Sequence, residues 1–231
     1  MKKILVTGGK GRFSKILKES SYSNRFIFRN KSEMNIASLN SILRNIKKYK
    51  PKYVLHLAGL SRQMSQHEKN IEKSINLNIV GTCNVVMACL KLNIKLIYFS
   101  TSYIYEGKKG DYKETDPVLP WNNYGWSKLG GECSVQMYKN SLILRACMTQ
   151  KPFVHKKAFA NVKSNFIYHE DLVKKFLMLL NKKGIYNIGG KSQSIYNFAK
   201  KNNVNIKKIY SSGSFPLNQD MNLKKLNKAL K

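Results

Sequence analysis

Tyr124 and Lys128 stand four residues apart in the stretch NNYGWSKLGGE, residues 122–132. On a helix, residues i and i+4 share one face, so this spacing sets a phenol beside an ammonium. A free tyrosine ionises near pH 10 and exchanges its proton poorly at neutrality. A neighbouring cation favours the phenolate and brings that value down. The pair therefore reads as a proton donor and the charge that tunes it. The plain alternative is a polar pair on a solvated helix face, worth only a few tenths of a kcal/mol.

A second constellation lies at the N-terminus, where VTGGKGRFS joins an apolar run to a helical pattern. Gly8 and Gly11 hold the spacing of a dinucleotide-binding turn, with Gly9 beside them and Ser14 in the third small-residue position. Glycines there let the backbone approach a pyrophosphate, which then sits on the helix N-terminus. Arg12 and Phe13 open that helix and are assigned to the cofactor with Gly8 and Gly11. A plain strand-to-helix turn is the alternative. At the end of the second apolar run come Arg29, Asn30 and Lys31, with no carboxylate before Glu33. A basic residue there accommodates the 2′-phosphate of NADP, an acidic one the ribose hydroxyl of NAD. NADP(H) is accordingly expected in preference to NAD(H). Arg29 weighs more than Lys31, because arginine is scarce in this chain.

The elements that must position these groups follow from periodicity. Lys3–Thr7, Arg25–Arg29, Lys52–Leu57, Ile94–Phe99 and Leu142–Leu144 read as buried strands. Helical patterns run toward Glu19 and over Ile36–Lys48, Ile75–Leu92 and Tyr124–Tyr138. Short apolar strands alternating with amphipathic helices predict an α/β fold with a Rossmann-like, doubly wound parallel sheet and helices on both faces. Beyond it, helices are expected over Asp171–Leu180, Ser194–Lys201 and Asn222–Leu230, a short strand over GIYNIGG, and no clear element over Cys147–Asn165. The expected division is a dinucleotide-binding domain over residues 1–145 and a small, reduced substrate lobe over 146–231, continuous with it.

Composition bounds the rest. The chain has 231 residues, 42% of them hydrophobic, which suits one α/β domain with a small appended lobe. Cys83, Cys89, Cys133 and Cys147 lack C-x-x-C spacing, so neither a zinc site nor a disulfide framework is expected; no metal is assigned, and a reducing, cytoplasmic compartment fits. No apolar segment approaches the roughly 20 residues that span a bilayer, so no membrane partner is expected. The net charge is +30, from 42 basic and 12 acidic residues. Such a field attracts polyanions and predicts salt-sensitive, non-specific sticking to nucleic acid. No recognition motif or aromatic-interleaved basic stripe accompanies it. Selective nucleic-acid binding on a Rossmann scaffold therefore remains a rival reading.

The segment YFSTSYIYEGKKGDYKETDPVLPWNNYGWSKLGGE resembles the extended short-chain dehydrogenase/reductase superfamily, and within it dTDP-4-dehydrorhamnose reductases and their sugar-nucleotide relatives. That pattern is Ser-Thr-Asp-Tyr-Val-Phe, a glycine loop, Tyr-x-Glu-x-Asp, a proline, then Tyr-Gly-x-x-Lys-x-x-x-Glu. Ser100, Thr101, Tyr103, Glu114, Asp116, Pro120, Tyr124, Lys128 and Glu132 follow it in order, with Ser102 where the aspartate is usual. KPKYVLHLAG, NLNIVGTCN, FIYHEDLV and GIYNIGG are similar to further family segments. The stretch between Arg145 and Phe166 looks shorter than in the family, where it helps build the sugar-nucleotide pocket.

The resemblance implies reduction of a nucleotide-linked 4-keto-deoxysugar. Tyr124 would be the proton donor, Thr101 a hydrogen bond to the carbonyl oxygen, and Lys128 both the tuning charge and a contact to the nicotinamide ribose. It also implies cofactor contacts at Ala58, Gly59, Asn78 and Ser100, and substrate contacts at Ser61, Ser102, Tyr103, Arg145 and His169. Several of these stay open on the residues alone. His56 reads first as a core histidine. His169 contacts substrate or braces the lobe, and Arg145 holds an anion or a structural ion pair. Asp171 caps or anchors a helix, while Trp121 and Trp126 wall the pocket or pack beside it. An epimerase or dehydratase of the same superfamily, a non-catalytic NADP-binding regulatory subunit and a homodimer are also compatible with the sequence.

Overall fold

The apolar runs form the strands of one sheet. The computed structural model describes residues 3–61, 63–213 and 215–231. The main strands are β1 (Ile4–Thr7), β2 (Phe26–Arg29), β3 (Tyr53–His56), β4 (Lys95–Thr101), β5 (Ser141–Ala146) and β6 (Gly184–Ile188). Their order across the sheet is β6-β5-β4-β3-β1-β2. The β1–β2, β1–β3 and β3–β4 pairings are parallel, with Thr7 beside both Arg29 and His56. The chain starts inside the sheet, steps outward to β2 and returns on the other side to β3. That reversal is the switch point at which doubly wound sheets bind ligands, beyond the carboxyl ends of the strands. Every residue of β1, β3, β4 and β5 is buried, as strands covered on both faces require.

Contact density divides the chain into two compact units. The first comprises Met1–Ser100, Asn122–Leu144 and Leu180–Ile185; the second comprises Thr101–Trp121, Arg145–Leu179 and Tyr186–Lys231. One crossing between the units falls between Leu144 and Arg145. The segment after β4 belongs to the second unit, and a short return near residue 180 belongs to the first.

In the first unit, α1 (Arg12–Glu19), α2 (Leu39–Tyr49) and α3 (Met64–Lys69) precede a long helix, α4 (Ile71–Lys91). Residues Ile75–Val80 of α4 are π-helical. Contrary to the sequence expectation, α4 is long and apolar enough to cross a bilayer, with mean hydropathy 1.2 over its best window. One face of it packs into the core: Val85, Ala88 and Cys89 are wholly buried against Leu5, Val54 and Leu96. Helix α5 (Asn123–Gln136) carries Tyr124 and Lys128 and begins on Asn122, whose side chain accepts from the Gly125 amide. Gly130 and Gly131 let α5 approach α4. A Cβ on Gly131 would stand 2.5 Å from the Asn78 carbonyl, and one on Gly130 would stand 2.7 Å from Ile79.

The second unit has its own core, built on Phe153, Val162, Tyr168, Ile195, Phe198 and Ile206. Residues 147–165, which carried no clear sequence signal, form two-to-three-residue strands. Met148–Thr149 pairs with Ile167–Tyr168, Lys157–Phe159 with Lys207–Ile209, and Lys163–Ser164 with Gln193–Ser194. Pairings this short hold no periodicity to read. The helices His169–Met178, Ile195–Lys200 and Lys224–Ala229 complete the unit.

Candidate active site

The glycine turn is shaped by what surrounds it. Gly8 has φ +71°, and a Cβ there would stand 2.8 Å from the Ala58 backbone, at the β1/β3 switch point. A Cβ on Gly9 would stand 2.9 Å from the Arg29 amide. The turn closes through Gly9 N–H to the Arg29 carbonyl at 2.7 Å and Gly11 N–H to the Gly8 carbonyl at 2.8 Å. Ser14, in the third small position, is buried and donates to the Gly8 carbonyl at 3.0 Å. Gly11 begins α1 without a side-chain cap, and the first turn carries no acidic residue. A helix N-terminus with uncapped amides and no local anion suits phosphate. Phe13 is a core residue, 5.3 Å from the Phe99 ring, so only its backbone belongs to the turn. Arg12 Nη2 donates to Ser61 Oγ at 3.1 Å, which ties α1 to the loop after β3.

At the end of β2 the Arg29 guanidinium already has company. Its Nη1 lies 2.6 Å from Glu33 Oε1, and its Cζ lies 4.4 Å from the Tyr49 ring centroid. Its Nε is buried without a hydrogen-bond partner. Glu33 also accepts from the Asn30 amide at 2.9 Å. That backbone hydrogen bond is the main reason its carboxyl lies below the usual carboxylate value; burial opposes it, and Arg29 adds to the lowering. Arg44 and Lys48 complete a small cationic hollow of about 190 Å³ around this pair.

A buried polar chain fixes the floor of the turn. Thr7 Oγ1 accepts from the Leu57 and Ala58 amides, both at 3.0 Å, and lies 2.8 Å from His56 Nδ1. His56 Nε2 lies 3.1 Å from Thr82 Oγ1, which donates to the Asn78 carbonyl at 2.7 Å. With two amides on Thr7, its own proton goes to Nδ1; the Nε2–H tautomer then completes the chain with every donor used. Burial, then the Lys128 charge, pulls His56 down to about 3, so the ring stays neutral. This is the core histidine the sequence suggested. The Asn78 side chain clamps the next loop: Oδ1 accepts from the Leu60 amide at 2.7 Å, and Nδ2 donates to the Leu60 carbonyl at 2.9 Å and to Ser127 Oγ at 2.8 Å. Asn78 thus joins the loop after β3 to α5. It sits in the π-helical turn of α4, a distortion that recurs at functional sites. Gly59 gives it room, since a Cβ there would meet Asn78 Oδ1 at 2.7 Å.

Tyr124 and Lys128 lie one turn apart on α5, as their spacing predicts. The Lys128 ammonium sits 4.1 Å from the Tyr98 ring centroid, and Tyr98 Oη donates to the Lys128 carbonyl at 3.1 Å. Burial pulls Lys128 down to about 7, against an upward pull from Glu132. As a whole residue Lys128 is partly buried. Tyr98 is wholly buried, and burial holds its phenol far above the usual value, so it offers a neutral π-face rather than a counter-charge. Tyr124 meets the edge of His67 at 5.1 Å. His67 is buried and its Nδ1 lies 2.7 Å from Ser74 Oγ. Glu68 accepts from the Asn123 amide at 3.2 Å and from its side chain at 2.5 Å, pinning the first turn of α5. Tyr98, His67 and Glu68 carried no sequence signal, because each acts through a partner distant in the chain.

The remaining candidates lie in the second unit, apart from Trp126 and from Ser100, whose buried Oγ has no hydrogen-bond partner among the described residues. Thr101 ends β4; its hydroxyl accepts from the Tyr103 amide at 3.3 Å, leaving its own proton to donate elsewhere. Ser102 is buried, near Cys147. Tyr103 packs on Trp121 at 5.3 Å and on Phe215 at 6.2 Å. Trp126, on α5 in the first unit, is exposed. His169 is buried at the first position of its helix, and Asp171 lies in the first turn. Arg145 is buried and donates from Nη1 to Tyr105 Oη at 2.8 Å and to the Glu114 carbonyl at 3.0 Å. Both of these acceptors are protein groups, a phenol and a backbone carbonyl. Glu114 accepts from the Asn187 amide at 2.9 Å, and Asp116 accepts from the Lys113 amide and pairs with Lys109. These motif acids are loop staples.

Residues 1–163 match the family described as RmlD substrate binding domain. A dTDP-4-dehydrorhamnose reductase of Aggregatibacter actinomycetemcomitans is 28% identical over 154 residues, covering 64% of this chain and 52% of the relative. Methionine adenosyltransferase 2 subunit beta of Pongo abelii is 26% identical over 143 residues, covering 58% of this chain and 42% of the relative. The chain spans about half the length of the curated relatives it matches. The crystal structure of a dTDP-4-dehydrorhamnose reductase from Bacillus anthracis in complex with NADP superposes with a TM-score of 0.86. It is 23% identical, over 99% of this chain and 92% of that one.

Proposed function

The chain belongs to the RmlD substrate binding domain family, within the extended short-chain dehydrogenase/reductase superfamily, and from that premise we propose that it is a reductase of a nucleotide-linked 4-keto-deoxysugar, using NADP(H) in preference to NAD(H). The observation that carries the reading is Tyr124 and Lys128 on a helix clamped by Asn78 to the loop beside the glycine turn. The turn fits a dinucleotide: side chains are excluded at Gly8 and Gly9 by backbone atoms, and the amides of α1 are uncapped. Gly8, Gly11, Arg12, Ala58 and Gly59 would hold it, with Lys128 at the ribose. Arg29 would take the 2′-phosphate, and its partly exposed side chain at the end of β2 supports that role. When bound, the nicotinamide supplies the hydride.

The chain's own part is the proton and the field. Reduction of a ketone leaves negative charge on its oxygen, and Tyr124 Oη gives that oxygen a proton. Lys128 favours the phenolate that remains. Because Lys128 titrates near 7, its charge is present below that pH and fades above it. Thr101, with its acceptor lone pair engaged by the Tyr103 amide, has its own proton to donate to a carbonyl oxygen.

The likeness to methionine adenosyltransferase 2 subunit beta favours a second reading, a binding subunit without turnover. One experiment separates the two. NADPH binding is measured by calorimetry, and its oxidation is followed against a panel of 4-keto-deoxysugar nucleotides that includes dTDP-4-dehydrorhamnose. Oxidation with one panel member supports the reductase. Tight binding with no oxidation by any of them leaves the binding subunit, and no binding removes both.

A further inference from the structure

The second unit contains a cavity of about 410 Å³, lined by none of the residues assigned above to cofactor, substrate or proton transfer. Its wall is aromatic. The Tyr168 and Phe198 rings are 4.6 Å apart, and Phe166 adjoins Phe198 at 5.7 Å. Around this wall stand Lys151, Lys175, Lys191 and Lys201, against a single carboxylate, Asp171. Lysines are common throughout this chain, so their number alone carries little. These four come from separate segments and converge on one aromatic hollow. Lys151 lies 5.9 Å from the Tyr168 ring centroid, and Lys175 is oriented by the Gly189 carbonyl at 3.1 Å.

Tyr168 supplies an independent sign. It is 6% exposed, yet its buried Oη makes no hydrogen bond of good geometry, although the Asn202 side chain approaches it. Burial keeps the phenol protonated, so it has a donor to offer. A buried donor left unused costs free energy, and an oxyanion seated beside it would remove that cost. The volume falls in the range of small-molecule sites. A flat ring stacks on aromatic side chains, and ammonium groups neutralise phosphate.

We propose that this cavity is a second ligand site that takes a nucleoside phosphate, with the base against Tyr168 and Phe198 and the phosphates among Lys151, Lys175, Lys191 and Lys201. The proposal does not depend on the reductase reading.

The test uses the full chain labelled with 3-fluorotyrosine and titrated with ADP at 0.15 M salt. The Tyr168 resonance is assigned by its absence in Tyr168→Phe. ADP also suits the glycine turn, so the Tyr168 signal, rather than total binding, is read. It is expected to shift saturably, and the double variant Lys191→Glu/Lys201→Glu is expected to weaken that shift at least tenfold. Both lysines are exposed, so the double variant keeps the fold. Binding at the glycine turn, followed by calorimetry, should survive in that variant, and its loss from both proteins would count against the reductase reading alone. An unmoved Tyr168 signal, or equal titrations in both proteins, overturns the proposal. So does an equal shift with pyrophosphate alone, which would leave only an anion site, or with adenosine alone, which would leave only an apolar one.

Discussion

Lys128 and Arg29 are two cations that the residue pattern assigns to one cofactor, and the first unit treats them in opposite ways. The Lys128 ammonium is desolvated over the Tyr98 ring, and burial brings it to about 7. Its charge is conditional, which is what proton chemistry at neutrality uses. Arg29 keeps a fifth of its side chain in solvent, stacks on Tyr49 and carries a counter-ion of its own, Glu33. Its charge is permanent and already answered. The lesson is that, in a chain with 42 basic residues, a cation's work is marked by its surroundings and not by its presence.

The largest effect should come from the group that the Lys128 side of this contrast serves. Tyr124→Phe is expected to leave NADPH affinity nearly unchanged and to cut turnover at least about a hundredfold, the scale of losing a general acid. Steady-state kinetics beside calorimetry reads both; unchanged turnover would remove Tyr124 from the chemistry. Lys128→Met should follow, with turnover down about tenfold or more and NADPH bound more weakly. Its signature is the pH profile. The wild-type kcat/KM is expected to fall as pH rises through about 7, and the variant should lose that limb.

The same lysine marks stability. Unfolded, it titrates near 10.4; folded, near 7. Between those values the unfolded chain binds the extra proton, so stability rises with pH across the window, by at most roughly 5 kcal/mol. The difference between wild type and Lys128→Met in urea melts from pH 7 to 10 isolates this contribution from the other lysines. A flat difference would show that the ammonium is solvated.

Arg29→Ala tests the other side. Loss of a charge-assisted contact to phosphate costs about 1.5–3 kcal/mol, so NADPH should weaken roughly tenfold or more and NADH little. Equal losses would make Arg29 a structural residue.

The sequence carried the Lys128 half of this contrast further than the Arg29 half, for a physical reason. Strand and helix periods, glycines that must meet backbone and an i,i+4 pair are local, and β1, the turn at Gly8–Gly11 and α5 were legible from them. The His56 ring could be read as core because it lies inside a strand buried on both faces. Glu33 is also near Arg29 in sequence. What hid its role is that a loop carboxylate declares a partner only once Asn30 turns the chain back. Asn78 as a clamp, Tyr98 under Lys128 and His67 against Tyr124 join positions 18 to 57 residues apart, beyond any periodic signal. Glu114 and Asp116 matched a motif without a role that the residues could assign, and the structure shows them stapling a loop. Residues 147–165 were opaque because two-residue strands leave no period.

The smallest effect is the sharpest test of the contrast. Glu33 bridges Arg29 Nη1 and the Asn30 amide, two donors that a 2′-phosphate would also seek, so on the proposed reading the carboxylate would compete with that phosphate. Glu33→Gln keeps an oxygen for the Asn30 amide and removes the charge. NADPH affinity is then expected to rise a few-fold with NADH unchanged, because only the phosphate competes. The gain should shrink with added salt, because attraction between exposed charges weakens as ionic strength rises. If NADH weakens instead, Glu33 is holding ribose hydroxyls, Arg29 is merely its counter-ion, and the end of β2 selects NAD.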